Sequence, residues 1–191
     1  MKILIALGLC LCCLPRLSHA AAVDLATLNC AKYQSEFMAP ATPAPGFDPI
    51  NTMMWLFGYS VAKSGAHVMY GDALAAFGFA LDAECKNNPG ERLLDALAKI
   101  KPDNKNPMDL TTLPCSTFAA RHTDLKSSDP ESAGTIMMWL LGFGIAKSGS
   151  HSYDPSGLAH FEAALMADCA KYPDRNLYDA LSMVKFTKPN S

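Results

Sequence analysis

The most sharply specified chemistry in this chain belongs to its cysteines. Seven occur. Cys10, Cys12 and Cys13 lie inside an apolar N-terminal run; Cys30, Cys85, Cys115 and Cys169 follow it. An even number of cysteines behind an export leader predicts disulfides, and four cysteines allow three pairings. The histidines come next. His67 and His151 each stand three residues after a serine, Ser64 or Ser148, with a glycine between. Imidazole titrates near pH 6.5, so the two are candidates for pH sensing, with solvent-exposed loop histidines as the plainer reading. Nucleophilic catalysis by such a Ser–His couple needs an orienting group and an oxyanion site, and Ala-Lys-Ser-Gly reads more simply as a helix end. Asp82 and Glu84 are two apart, a spacing that does not place them face to face on a helix. No glycine-rich phosphate loop occurs, and no Cys or acidic residue stands at a ligand-like spacing from the histidines. The expectation is a chain that is not an enzyme, with no catalytic residue, no metal and no cofactor.

Residues 1–20 read as a secretory signal peptide. Lys2 supplies the positive end, Ile3 to Leu14 the short apolar stretch, and Ser18-His19-Ala20 a small-residue cleavage site, with Ala22 as a second candidate. None of the leader cysteines follows Gly, Ala or Ser, which argues against a lipoprotein. Beyond the leader no stretch approaches the length needed to span a bilayer, so no stable membrane insertion is expected. The chain without its leader keeps 14 Lys and Arg against 18 Asp and Glu, spread without runs of like charge. That acidic balance argues against nucleic acid as a partner.

The elements that position these residues come in two matching sets. Met53-Met54-Trp55-Leu56 recurs as Met137-Met138-Trp139-Leu140, and Ala62-Lys63-Ser64-Gly65 as Ala146-Lys147-Ser148-Gly149. His67 maps to His151, Cys85 to Cys169, Pro89 to Pro173 and Asp95-Ala96-Leu97 to Asp179-Ala180-Leu181, all at an offset of 84 residues. Upstream, Asp24-Leu25 and Cys30 match Asp109-Leu110 and Cys115 at an offset of 85. Such a pattern reads as an internal duplication. It divides the chain into a signal peptide (1–20), a first repeat (21–101), a proline-bounded linker (102–107) and a second repeat (108–191). Pairing within each repeat, Cys30–Cys85 and Cys115–Cys169, is the simplest choice; Cys30–Cys169 with Cys85–Cys115 is the alternative.

Each repeat reads as four helices, giving an all-α fold of two tandem disulfide-stapled domains. The first helix surrounds the first cysteine, near Ala26–Met38 and Thr112–Arg121. The second opens at Asp48-Pro49 and Asp129-Pro130, a capping Asp followed by a first-turn Pro, and closes at Lys63-Ser64-Gly65 and Lys147-Ser148-Gly149. The third carries Leu74, Phe77, Leu81 and Cys85, matched by Leu158, Phe161, Leu165 and Cys169, one apolar face at helical spacing. Asp154-Pro155 reads as its start in the second repeat. The fourth follows Pro89 and Pro173. No period-2 strand is legible. The segment 40–45, rich in proline and present only in the first repeat, reads as an extended connector.

Met53, Met54, Trp55, Met137, Met138 and Trp139 sit together on the second helices. Core packing is the default for them, and a client-binding face is the functional reading, since methionine suits promiscuous surfaces. Gly58 and Gly142 interrupt the same helices, where close helix approach is the reason to keep them.

Together these features resemble the HdeA/HdeB family of periplasmic acid-stress chaperones, in tandem. The resemblance is carried by a first-helix cysteine with an aromatic three residues on (Cys30/Tyr33, Cys115/Phe118) and by Trp-Leu-x-Gly-aromatic (Trp55 to Tyr59, Trp139 to Phe143). A later cysteine and a proline followed by Leu-x-Asp-Ala-Leu complete it. It implies a small helical fold with one disulfide, dimeric at neutral pH, that loosens in acid and shields unfolded client proteins through exposed apolar surface. Familiar members are single units, so this fused pair implies an intramolecular pseudo-dimer or a homodimer of the whole. The chain is also similar to periplasmic immunity proteins of the Rap1a type, which implies instead one specific periplasmic protein as partner.

Overall fold

The computed structural model describes residues 23–38, 48–70, 73–101, 107–154 and 157–185. The signal peptide, the 40–45 connector and linker residues 102–106 lie outside them. The described chain is all-α, with eight α-helices: α1 Cys30–Phe37, α2 Pro49–Lys63, α3 Leu74–Asn87, α4 Leu93–Lys99, α5 Cys115–Ser128, α6 Pro130–Lys147, α7 Leu158–Lys171 and α8 Leu177–Met183. Two disulfides staple it within the halves, Cys30–Cys85 joining α1 to α3 and Cys115–Cys169 joining α5 to α7, each with Cα atoms 4.8 Å apart.

Local sequence explains most helix ends. The Asp48 carboxylate accepts hydrogen bonds from the Ile50 and Asn51 N–H groups, and Pro49 takes the first helical position of α2. Asp129 does the same for α6 through the Ser132 N–H. Both helices end where Gly65 and Gly149 adopt φ 76°, a left-handed conformation that lets the chain leave the helix without a Cβ penalty. Replacing Asp48 by Ala removes an N-cap and is expected to cost about 1 kcal/mol, read as a lowered urea midpoint at unchanged slope.

Three expectations are corrected. α1 begins at Cys30, not near Ala26, because Leu25–Thr27 form a separate 3₁₀ turn capped by Asp24 and Asn29 then caps α1 through the Lys32 N–H. α5 runs past Arg121 to Ser128, since no breaker intervenes before Asp129-Pro130. α7 does not start at Asp154-Pro155: the Gly157 N–H closes a tight turn onto the Asp154 carbonyl, and the helix follows at Leu158 with no side-chain cap. Pro155 is outside the described residues.

Four short strands are a further difference. β1 (Val23–Asp24) pairs antiparallel with β4 (Ser152–Tyr153), in the register Val23 to Tyr153 and Asp24 to Ser152. β2 (Val68–Tyr70) pairs with β3 (Pro107–Asp109), in the register Val68 to Asp109, Met69 to Met108 and Tyr70 to Pro107. Strands this short carry too few side chains to show an alternation. Each ladder joins the strand that opens one half to the strand that follows the second helix of the other. Pro107, read as the end of the linker, is the first residue of β3.

Buried apolar residues of both halves form one cluster, from Leu25 to Val184. It includes Phe77, Leu81, Phe161 and Leu165, the predicted inner face of the third helices. Among the described residues no helix is long and apolar enough to cross a membrane.

Candidate functional site

The most extensive helix pairing lies between α2 and α6, the second helix of each half. Asn51 of α2 meets Thr135 of α6, its own counterpart, across 3.5 Å. Further along, Trp55 meets Gly142 and Gly58 meets Trp139. The equivalent pair Asn51–Thr135 and the reciprocal pairs Trp55–Gly142 and Gly58–Trp139 set the two helices running in the same direction. A Cβ on Gly58 would overlap the Trp139 carbonyl oxygen, and a Cβ on Gly142 the Trp55 carbonyl oxygen. The glycines expected to permit close approach do so at the backbone level, and reciprocally.

Every residue proposed for a client-binding face lies on these two helices. Met53, Trp55, Met137, Met138 and Trp139 are buried, both tryptophans completely, and Met54 is half-buried against the same core. Trp55 stacks on Tyr59 and Trp139 on Phe143, with ring centroids 5.5 and 5.3 Å apart; Phe57 meets the edge of Trp139. In the closed molecule these side chains are the packing of the seam. That packing is not fully satisfied: Trp139 Nε1 and Thr52 Oγ1 are buried with no hydrogen-bond partner among the described residues. Each such group costs about 1–3 kcal/mol.

The rim of the seam carries the paired histidines. The His151 carbonyl accepts from the Leu25 N–H of the other half, and its Nδ1 lies 2.8 Å from Asp24 Oδ1. The His67 carbonyl accepts from the Leu110 N–H, and its ring stands edge-on to Tyr178 at 4.5 Å. Both histidines are exposed, as the plainer reading holds, yet each sits where its half is stitched to the other. Asp109 beside His67 is held below the usual carboxylate range, mainly by hydrogen bonds from the Thr111 hydroxyl and N–H and also by His67.

No family model, no curated protein and no solved structure matches the chain. Its chemistry is thus read from the seam and the groups around it. Ser64 and Ser148 donate to the Val61 and Ile145 carbonyls at 2.7 Å, which commits both hydroxyls to helix ends. Among the described residues no group of three His, Cys, Asp or Glu is placed to hold a metal.

One titratable group escaped the sequence reading. His122, on α5, is buried; its Nε2 lies 3.0 Å from Glu162 Oε1 on α7, its ring stacks on Phe118, and its Nδ1 has no partner among the described residues. Lys126 reaches the same Glu162 oxygen at 2.5 Å. Burial opposes ionisation of Glu162, but the hydrogen bonds from Lys126 and His122 outweigh it and hold the carboxyl below its usual range. The matching positions in the first half are Phe37 and Gly78, so the signal was an apolar pair turned polar in one copy. Glu84 is likewise held low, chiefly by its bond to Lys99, and Asp129 by the Ser132 hydroxyl and N–H.

The sign of the linkage is common to all four carboxylates. A folded-state value below the unfolded one stabilises above the ordinary carboxylate range near 4 and is lost as pH falls through and below it. Glu162→Gln should therefore flatten the fall of the unfolding midpoint below about pH 5. An unchanged slope would show that Glu162 is not linked to folding.

Proposed function

We propose that the chain is a periplasmic acid-stress chaperone-like protein: a fused pseudo-dimer whose seam loosens at low pH and presents apolar surface to unfolded client proteins. The observation that carries this reading is the seam itself. Its Met- and Trp-rich helices are closed against each other, while its rim is joined by Asp24–His151 and carries Asp109 near His67. The exposed Asp24–His151 contact contributes little by itself, and acid removes even that by protonating the carboxylate.

Net charge drives the same way. At about pH 2, with the carboxylates neutral, 14 Lys and Arg, four histidines and the amino terminus bring the exported chain to about +19, from about −4 at neutrality. Self-repulsion then acts against the compact form. The disulfides keep each half from extending fully, so collapsed apolar patches are what the acid state offers. The leader and the two disulfides fit export to an oxidising compartment.

The test is suppression of client aggregation at about pH 2.5, with a hydrophobic dye reporting surface exposure from pH 7 downwards. The expected result is dye binding and client protection only in acid. Stoichiometric capture of a single protein at pH 7, without acid activity, would replace this reading with that of a dedicated binding protein.

A further inference from the structure

The seam is built the same way from both sides. Gly58 lies against the Trp139 carbonyl and Gly142 against the Trp55 carbonyl, so each half supplies one glycine and one tryptophan backbone to the same lock. The two ladders repeat this reciprocity. Asp24 opposite Ser152 and Asp109 opposite Val68 are matching pairs of the duplication. The Leu25 and Leu110 N–H groups, matching again, donate to the His151 and His67 carbonyls. One surface patch therefore faces its own counterpart across a pseudo-twofold, the arrangement of an isologous dimer interface.

Neither disulfide holds this interface shut. Cys30–Cys85 and Cys115–Cys169 each close within one half. A second copy of the chain offers the same two halves, and every contact of the seam re-forms when the first half of one chain meets the second half of another. Unlike halves are the ones that fit. Phe57 meets the edge of Trp139, and His67 meets the Tyr178 ring. Two first halves would put Leu94 in place of Tyr178, and two second halves would put Leu141 in place of Phe57. Within one chain the halves meet at an effective concentration on the order of millimolar. Closure within the chain wins in dilute solution, and closure between chains competes as the protein approaches that concentration.

We propose that chains whose seam has been opened re-close between two copies, first half on second half, as an exchanged dimer with two seams. The partner is a second copy of this chain. The inference rests on the geometry of the seam and not on the acid-chaperone reading.

Urea opens the exported, oxidised protein at pH 7, and its removal at about 10 µM or about 1 mM protein closes it again. Light scattering after size-exclusion chromatography should show monomer at the lower concentration and a dimer fraction at least about tenfold larger at the higher one. Protein never opened should show no such rise. The double variant Asn51→Cys, Thr135→Cys carries its new thiols where the two side chains meet across the seam. After the same cycle and oxidation, the new bridge should join two chains in the dimer and close within one chain in the monomer. Non-reducing electrophoresis reads this, and peptide mapping checks that both native bridges are kept. A cycle through acid in place of urea separates the two readings: dimer from urea and none from acid supports the exchange and counts against acid opening of the seam. Monomer alone at the higher concentration, a dimer equally abundant in protein never opened, or a dimer whose new bridges lie within single chains would each overturn the proposal.

Discussion

Alanine in place of Gly58 or Gly142 is expected to destabilise the protein by about 2 kcal/mol or more, while the same change at Gly134 in α6 should stabilise it by up to about 1 kcal/mol. The opposite signs come from one difference. At Gly58 and Gly142 the new Cβ meets the backbone carbonyl of a tryptophan on the facing helix, which no rotamer change can relieve. At Gly134 nothing lies within 4 Å, and only the helix-propensity gain remains. Overpacking a tight contact costs about 1–3 kcal/mol and more when backbone must move, which outweighs that gain. Urea unfolding of the three single variants decides it; a stabilising Gly58→Ala would mean that α2 and α6 are not in backbone contact. The chaperone reading adds a second outcome for the seam variants, dye binding at a higher pH than the wild type.

Loss of a disulfide is the other large effect. The bridges close loops of 55 and 54 residues, and in the chain-entropy model each then stabilises by about 4 kcal/mol. Folded domains are stable by only about 5–15 kcal/mol, so that is a large share of the total even with one core shared by both halves. The double replacement Cys30→Ala with Cys85→Ala is expected to lower the unfolding midpoint sharply at pH 7 and to leave the second half's bridge intact by mass spectrometry. On the proposed chaperone reading, the same variant should expand further in acid and protect clients less, because a fully extended chain offers no contiguous apolar patch. A midpoint shift worth under about 1 kcal/mol would show that the bridge restrains the unfolded chain far less than its loop length implies.

The helices and their order are written locally, and so they were legible. Caps at Asp48 and Asp129, terminators at Gly65 and Gly149, and the face Leu74-Phe77-Leu81-Cys85 all act within a few residues of themselves. The pairing of the cysteines followed from the matched halves. Less was visible where the local signal was short or absent. The strands of two and three residues, the 3₁₀ turn before α1 and the late start of α7 depend on hydrogen bonds to distant or non-repeating partners. His122 and Glu162 stand forty residues apart in the chain, and neither looks unusual until α5 and α7 are packed together.

The sequence alone determined that this is a helical chain of two matched, disulfide-bearing halves, because turn chemistry, capping and apolar periodicity are properties of neighbouring residues. Only the tertiary structure decided that the halves share a core. It placed Gly58 and Gly142 against the tryptophan backbones and sent each opening strand across to the other half. It also set His67 and His151 on the joint. Those facts arise from contacts between residues far apart in sequence, whose formation depends on shape and burial that no local pattern encodes.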